Sequence, residues 1–167
     1  KLIKQELRKL KKGESLSHDI VFRDPYILDF LNLKDTYSEK DLESAIISEL
    51  QRFISELGSD FAFIARQKRI IIDGRDYKMD LLFFHRKLKR LVVIDLKLGK
   101  FQPADKAQME LYLNWLEKHE RAESEESPIG LILCADKSEE HIELLALNRG
   151  NIRVANYMTE LPSKKLW

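Results

Sequence analysis

Cysteine is almost missing from this 167-residue chain: Cys134 is the only one, which excludes an internal disulfide and any cysteine-based zinc site. It lies in the apolar run Gly130-Leu131-Ile132-Leu133-Cys134-Ala135, where a small buried hydrophobe is expected. No apolar stretch approaches the roughly 20 residues of a membrane span. The basic start, KLIKQELRKLKKG, has neither an apolar segment nor a cleavage site, so no secretory leader is expected and a cytoplasmic location is the default. There is no glycine-rich phosphate loop, no G-x-S-x-G elbow and no Cys/His nucleophile pairing. His18, His85, His119 and His141 show no metal-ligand spacing. His85 is expected at the surface or turned toward backbone.

Net charge is also scarce, at +1, but it is unevenly spread. Residues 61–107 hold twelve Lys or Arg against five Asp, a net +7, and residues 110–143 hold three Lys or Arg against ten Asp or Glu, a net −7. A positive half suits a polyanionic substrate. It also suits solvated strand edges, where Lys and Arg resist edge-to-edge pairing. Apolar residues make up 44% and charged residues 34%, as in a globular domain with one core.

The element order reads α-β-β-β-α-β-α-β. Residues 22–33 form a short helical or turn segment opening at Pro25. Ser38, with Asp41 three residues on, starts a helix that runs to Gly58. Residues 61–69 and 70–72 are extended, and Asp73-Gly74 is a hairpin turn. Two strands follow within residues 77–100, then a helix opened by Pro103 and running to about His119. An acidic loop (120–127), a buried strand (129–135), a helix (138–147) and a last strand (152–156) complete the chain. Residues 1–13 read as a basic amphipathic helix or as the tail of an upstream one, and the chain's start without Met suggests a piece of a longer protein.

The chemistry concentrates in residues 77–100, YKMDLLFFHRKLKRLVVIDLKLGK. Acids stand there where a buried strand would carry apolar residues. Side chains alternate along a strand, so Asp95 and Lys97 share a face. A turn near Lys87-Leu88 puts Asp80 opposite Asp95, with Cβ atoms about 5 Å apart. Like charges so placed destabilise the pair unless a cation bridges them. Hard oxygen ligands select Mg²⁺ or Mn²⁺ over zinc. Lys97 could help deprotonate an attacking water or stabilise a pentacovalent phosphate, or could be a structural ion pair. Glu43 falls inside the apolar stripe of Leu42, Ile46, Ile47, Leu50, Phe53, Ile54 and Leu57. It is either a third ligand or a first-turn acid reaching solvent. Gln108 and Tyr112 share a helix face, where they could bond a phosphate, orient Lys97 or simply pack on the sheet.

Asp80, then Asp95-Leu96-Lys97 ending an apolar strand, then Gln108-x-x-x-Tyr112 on a helix, resembles the PD-(D/E)xK nuclease superfamily in its RecB-type branch. More closely, DPYILDFLNL, DLESAI, DLLFFHRKLKRLVVIDLKLGKFQP, QMELYLN and GLILC resemble the C-terminal nuclease domain of YhcG-like bacterial proteins. The resemblance covers nearly all of the chain from Phe22 on. It implies an α/β, restriction-endonuclease-like fold: an α-β-β-β-α-β core with a mixed central sheet flanked by helices, over residues 21–167. It also implies an N-terminal helical domain in the full-length protein, of which residues 1–20 would be the tail. The implied activity is metal-dependent cleavage of DNA in recombination, repair or defence, with Mg²⁺ or Mn²⁺ as cofactor. Asp80, Asp95 and Glu43 would hold the metal, with Lys97, Gln108 and Tyr112 completing the catalytic set. Two departures stand out. The family's usual Glu at the central position is Asp95 here, one C–C bond shorter, and Met79 replaces the Pro before the first Asp.

Arg66, Lys68, Arg69, Arg86, Lys89 and Lys100 are candidates for phosphate contacts, which position without reading sequence. A homodimer cutting both strands is a further expectation. Two other readings stay open: a nucleic-acid-binding or interaction module on an inactive nuclease fold, and a structural domain whose partner uses the acidic stretch 117–126.

Overall fold

The computed structural model describes residues 22–33, 36–147 and 150–160. The first element among the described residues is not the expected helix but a two-residue strand, β1 (Tyr26–Ile27), followed by a 3₁₀ turn at Asp29–Leu31. Tyr26 and Leu28 are both fully buried. This alternation, with Leu28 N–H donating to the Met158 carbonyl at 2.7 Å, holds the segment extended. Helix α1 (Glu39–Ser48) starts at Ser38, whose hydroxyl accepts from Asp41 N–H while the Asp41 carboxylate accepts from Ser38 N–H, both at 3.0 Å. The single helix expected to reach Gly58 is instead two. Glu49, at φ −114° and ψ 37°, separates α1 from α2 (Leu50–Leu57). No Gly or Pro marks this break, and the apolar stripe runs through it, so periodicity alone does not register it.

Strand β2 (Phe61–Ile72) and strand β3 (Arg75–His85) form an antiparallel hairpin. Asp73 (φ 52°) and Gly74 (φ 73°) supply the two positive φ values its tight turn requires. Strand β4 (Arg90–Lys100) pairs antiparallel with β3. Helix α3 (Pro103–His119) then crosses to β5 (Ile129–Asp136), which lies parallel to β4. Helix α4 (Glu139–Leu144), shorter than the expected 138–147, leads to β6 (Ile152–Met158), which is parallel to β5 and to β1. The sheet order is β1-β6-β5-β4-β3-β2. The amphipathic tail expected over residues 1–13, and the boundary near residue 20, lie outside the described residues.

Alternation sorts the sheet's apolar residues onto two faces. Leu81, Phe83, Val92, Ile94, Leu131 and Leu133 meet Leu42, Ile46 and Phe53 of α1 and α2. Leu82, Leu91, Val93 and Ile132 meet Met109, Tyr112 and Leu116 of α3 on the other. Because β4 and β5 are covered on both faces, they read as continuous apolar runs. Cys134 is buried among them, as expected. His85 is buried rather than at the surface. Its Nδ1 accepts from Leu88 N–H at 3.1 Å and its ring meets Phe61 edge-on, so it braces the β3–β4 turn. Among the described residues, no helix is long and apolar enough to cross a membrane.

Close approach of α3 to the sheet depends on Gly130. A Cβ there would sit 2.5 Å from Sδ of Met109, which is fully buried. Gly130→Ala is therefore expected to destabilise the fold by about 1–3 kcal/mol through overpacking. Urea unfolding checks this, and pairing it with Met109→Ala should recover part of the loss.

Candidate active site

Two carboxylates meet where β3 parts from β4. Their ladder is regular from His85↔Arg90 to Leu81↔Ile94, and one step further sets Asp80 against Asp95. There a side chain takes over from the backbone: Asp80 Oδ2 accepts the Leu96 N–H at 2.8 Å. Asp95 is buried, at 3% exposure, and its carboxyl is within hydrogen-bond reach of Asp80. Burial, then the hydrogen bond and charge of Asp80, push its pKa up to about 8, against the opposing pull of Lys97. Asp95 Oδ2 is buried without a hydrogen bond of its own.

Lys97, two residues on and on the same face, brings Nζ to 3.3 Å from Asp95 Oδ2. Helix α3 holds the ammonium from the other side: Gln108 Oε1 accepts from Nζ at 3.4 Å, and Asp105 Oδ1 lies 3.8 Å away. Burial alone would lower the Lys97 pKa, but Asp95, Asp105 and Glu39 outweigh it and raise the value, so Lys97 is a charged ammonium at neutral pH. Tyr112, one helical turn after Gln108, does not reach Lys97. Its hydroxyl donates to the Lys78 carbonyl at 2.9 Å, tying α3 to β3. Burial, with the charges of Asp95 and Asp80, raises the phenol pKa, so the hydroxyl stays neutral and keeps its proton for that bond.

Glu43 arrives from the opposite layer. It is 6% exposed, so it does not reach solvent from its place on α1. Its Oε2 accepts from Gln67 Nε2 at 3.0 Å, and the same nitrogen donates to Asp80 Oδ1 at 3.3 Å. Glu43 Oε1 has no hydrogen bond and lies 3.9 Å from Arg66 Nε. Glu39 Oε2 accepts from Leu98 N–H at 2.9 Å and so anchors the start of α1 to β4. A cleft of about 400 Å³ opens beside this cluster, with Lys40, Ser44, Arg66 and Lys78 at its rim and Glu43, Gln67 and Asp80 within it. Another cavity of similar volume, lined by Leu113, Asn114, Leu147 and Ile152, shares no residue with it and holds no facing carboxylates.

Among the described residues, no three His, Cys, Asp or Glu side chains stand close enough to form a complete metal cage. The donor set nevertheless fits a divalent cation. Two carboxylates meet at Asp80 and Asp95, a third is one amide away, and two buried carboxylate oxygens have no hydrogen bond. Such acceptors are costly unless something positive faces them; Lys97 faces Asp95 Oδ2 at 3.3 Å, whereas Glu43 Oε1 has only the half-exposed Arg66 at 3.9 Å.

The expected phosphate contacts separate in space. Arg66 borders the cleft and is half-exposed. Lys68 leans over the Trp115 ring and faces Glu120 at 3.8 Å, while Arg69 pairs with Asp76 at 3.0 Å. Lys100 is exposed at the end of β4. Arg86 and Lys89 do not join the carboxylates. They sit at the β3–β4 turn, about 17 Å along the strand from Asp80 at ~3.4 Å per residue. Part of the acidic stretch is neutralised within the domain, by Glu117–Arg121 and Glu120–Lys68 pairs. Sequence reasoning missed Gln67, Asp105, Lys40 and Lys78. Asp105 is the N3 residue of a capping box with Gln102, a signal of a helix start rather than of a site, and a glutamine in a basic strand gives no local signal.

Residues 19–166 match the family described as the YhcG PDDEXK nuclease domain. The chain belongs to that family. The "Putative nuclease YhcG" of Escherichia coli (strain K12) is 48% identical to the YhcG-type domain described here over 145 residues, covering 86% of this chain and 38% of that protein. The chain therefore spans well under half the length of this relative. Among solved structures, a repair endonuclease from Pyrococcus abyssi superposes with a TM-score of 0.54 at 19% identity, over 77% of this chain and 50% of that chain. This shows the restriction-endonuclease-like fold expected from the resemblance. A fainter likeness, TM-score 0.48 at 17% identity over 78% of this chain and 49% of that one, is to EndoMS in its apo form.

Proposed function

We propose that this YhcG-type domain hydrolyses phosphodiester bonds of DNA with Mg²⁺ or Mn²⁺ as its cofactor. The observation that carries the reading is the Asp80–Asp95 pair, with the Lys97 ammonium 3.3 Å from Oδ2 of the buried Asp95 and a third carboxylate, the buried Glu43, whose Oε1 has no hydrogen bond. Family membership and the net +7 of residues 61–107 support a polyanionic substrate.

Asp80 and Asp95 would hold the cation, with Glu43 as a further ligand or acting through water. When bound there, a divalent cation supplies Lewis-acid stabilisation of phosphate charge and makes water a better nucleophile. Lys97, being protonated, does not take the proton from the attacking water. It stabilises the negative charge that builds on the phosphate as water adds and the P–O ester bond breaks. Gln108 accepts from Lys97 and fixes where that charge sits. Tyr112 holds α3 on β3, and so the distance between Gln108 and Lys97. Arg66 at the cleft rim, with exposed Lys100, would position the backbone. The upstream helical domain and a homodimer remain parts of this proposal for the full-length protein.

The direct test is incubation of the purified domain with supercoiled plasmid and branched oligonucleotides at low salt. Cleavage is expected with Mg²⁺ or Mn²⁺ and none with EDTA. Salt-dependent binding of DNA without cation-dependent turnover would favour a binding module on a nuclease fold.

A further inference from the structure

Gln67 occupies an anomalous place. It lies in the middle of β2 with φ at 47°, in the left-handed region, where strand residues normally have strongly negative φ. Pairing is regular on either side, Arg66 with Leu81 and Lys68 with Met79, so Gln67 stands against Asp80 across the ladder. The partner strand is disturbed at the same place: Met79 and Leu81, two residues apart, pack on opposite faces of the sheet. Glutamine has no intrinsic preference for this backbone region, and such conformations persist where the surroundings over-determine them. The side-chain amide offers such a determinant. One amide nitrogen has two hydrogens, and they go to Glu43 Oε2 at 3.0 Å and Asp80 Oδ1 at 3.3 Å. The reverse orientation would aim the amide oxygen at two carboxylates, so the chemistry fixes the nitrogen there.

We propose that Gln67 is a positioning residue that uses its left-handed backbone to clamp Glu43 of α1 and Asp80 of β3 at a set separation, and so tunes the cation affinity of the site. The inference rests on the cation-dependent reading above. The clamp joins α1 to β2 and β3 at the carboxylates, beside the longer Arg66 Nε–Glu43 Oε1 ion pair at 3.9 Å. It consumes one oxygen of each acid and leaves Glu43 Oε1 buried, without a hydrogen bond, beside the cleft. Without the amide, Glu43 and Asp80 each lose a hydrogen bond and the donor that bridges them. Partners that orient a ligand in this way are worth about 10–100-fold in metal affinity.

The test uses Gln67→Gly, which relaxes the backbone while removing the amide. Gln67→Asn also tolerates this φ, but its shorter arm cannot span both acids. Mn²⁺ binding in the absence of DNA is followed by calorimetry for wild type, both variants and Asp95→Ala, with thermal melts alongside. The expected result is a retained cooperative melt in both Gln67 variants, about tenfold weaker Mn²⁺ binding in both, and a matching rise in the Mn²⁺ concentration for half-maximal cleavage. Unchanged Mn²⁺ affinity in Gln67→Gly, with binding lost in Asp95→Ala, overturns the clamp and leaves the cation site standing. No Mn²⁺ binding by wild type overturns both.

Discussion

Lys97→Ala is expected to slow DNA cleavage by about 10²–10³-fold, the loss typical of removing one preorganised donor aimed at developing charge, with little change in folding. The size of the effect follows from how thoroughly the ammonium is held. Asp95 lies 3.3 Å away, Gln108 accepts from it at 3.4 Å, and Asp105 lies at 3.8 Å. Its position costs nothing to reorganise when the phosphate charge develops. Stability is spared because Asp95 can keep a proton once its cation is gone, which avoids leaving a bare buried carboxylate. Gln108→Ala, which frees Nζ without removing it, should show a smaller defect in the same direction. Rates on plasmid at saturating Mn²⁺, with melts to confirm folding, decide the matter. A Lys97→Ala rate above about a tenth of wild type would take the ammonium out of the transition state.

The second large effect is in stability against pH in the cation-free protein. Asp95 has a folded pKa near 8 against an ordinary 3.8. Between those values the native state binds a proton that the unfolded chain has released. The contribution is thus fully present below about pH 4 and is lost as pH rises through about 8. From pH 6 to pH 9 the protein without cation should lose about 2–3 kcal/mol of unfolding free energy at ~1.4 kcal/mol per pH unit. In its neutral form Asp95 can donate to Asp80, while Asp105, 3.8 Å from Lys97 Nζ, still faces the ammonium. Asp95→Asn should flatten the slope. Saturating Mg²⁺ should raise the melting temperature more at pH 9 than at pH 6, because it engages the ionised pair. An equal slope in Asp95→Asn would place the titrating group elsewhere.

Much of this domain follows from local sequence. Apolar runs bounded by turn signals dictate β3, β4 and β5, because strands covered on both faces must be apolar throughout. Asp73-Gly74, Ser38 with Asp41, and Pro103 mark one turn and two helix starts by their own backbone chemistry. The Asp80–Asp95 juxtaposition is legible because antiparallel register is simple arithmetic about a turn. Glu43 stands out because a charged residue within an apolar stripe needs a reason.

Other features were decided only when distant elements met. The break at Glu49 has no breaker residue to announce it. β1 exists because β6, some 130 residues later, offers it an edge. Tyr112 turns from the expected phosphate or Lys97 to the Lys78 carbonyl, since packing of α3 on β3 fixes its reach. Gln67 gains its place from two carboxylates on different layers. The chain alone thus determined that Asp95 and Lys97 share a strand face and that β3 pairs with β4 in the register that sets Asp80 against Asp95. Only the tertiary structure decided which side chains satisfy which charges, because a buried group takes whatever partner the third dimension brings within about 3 Å.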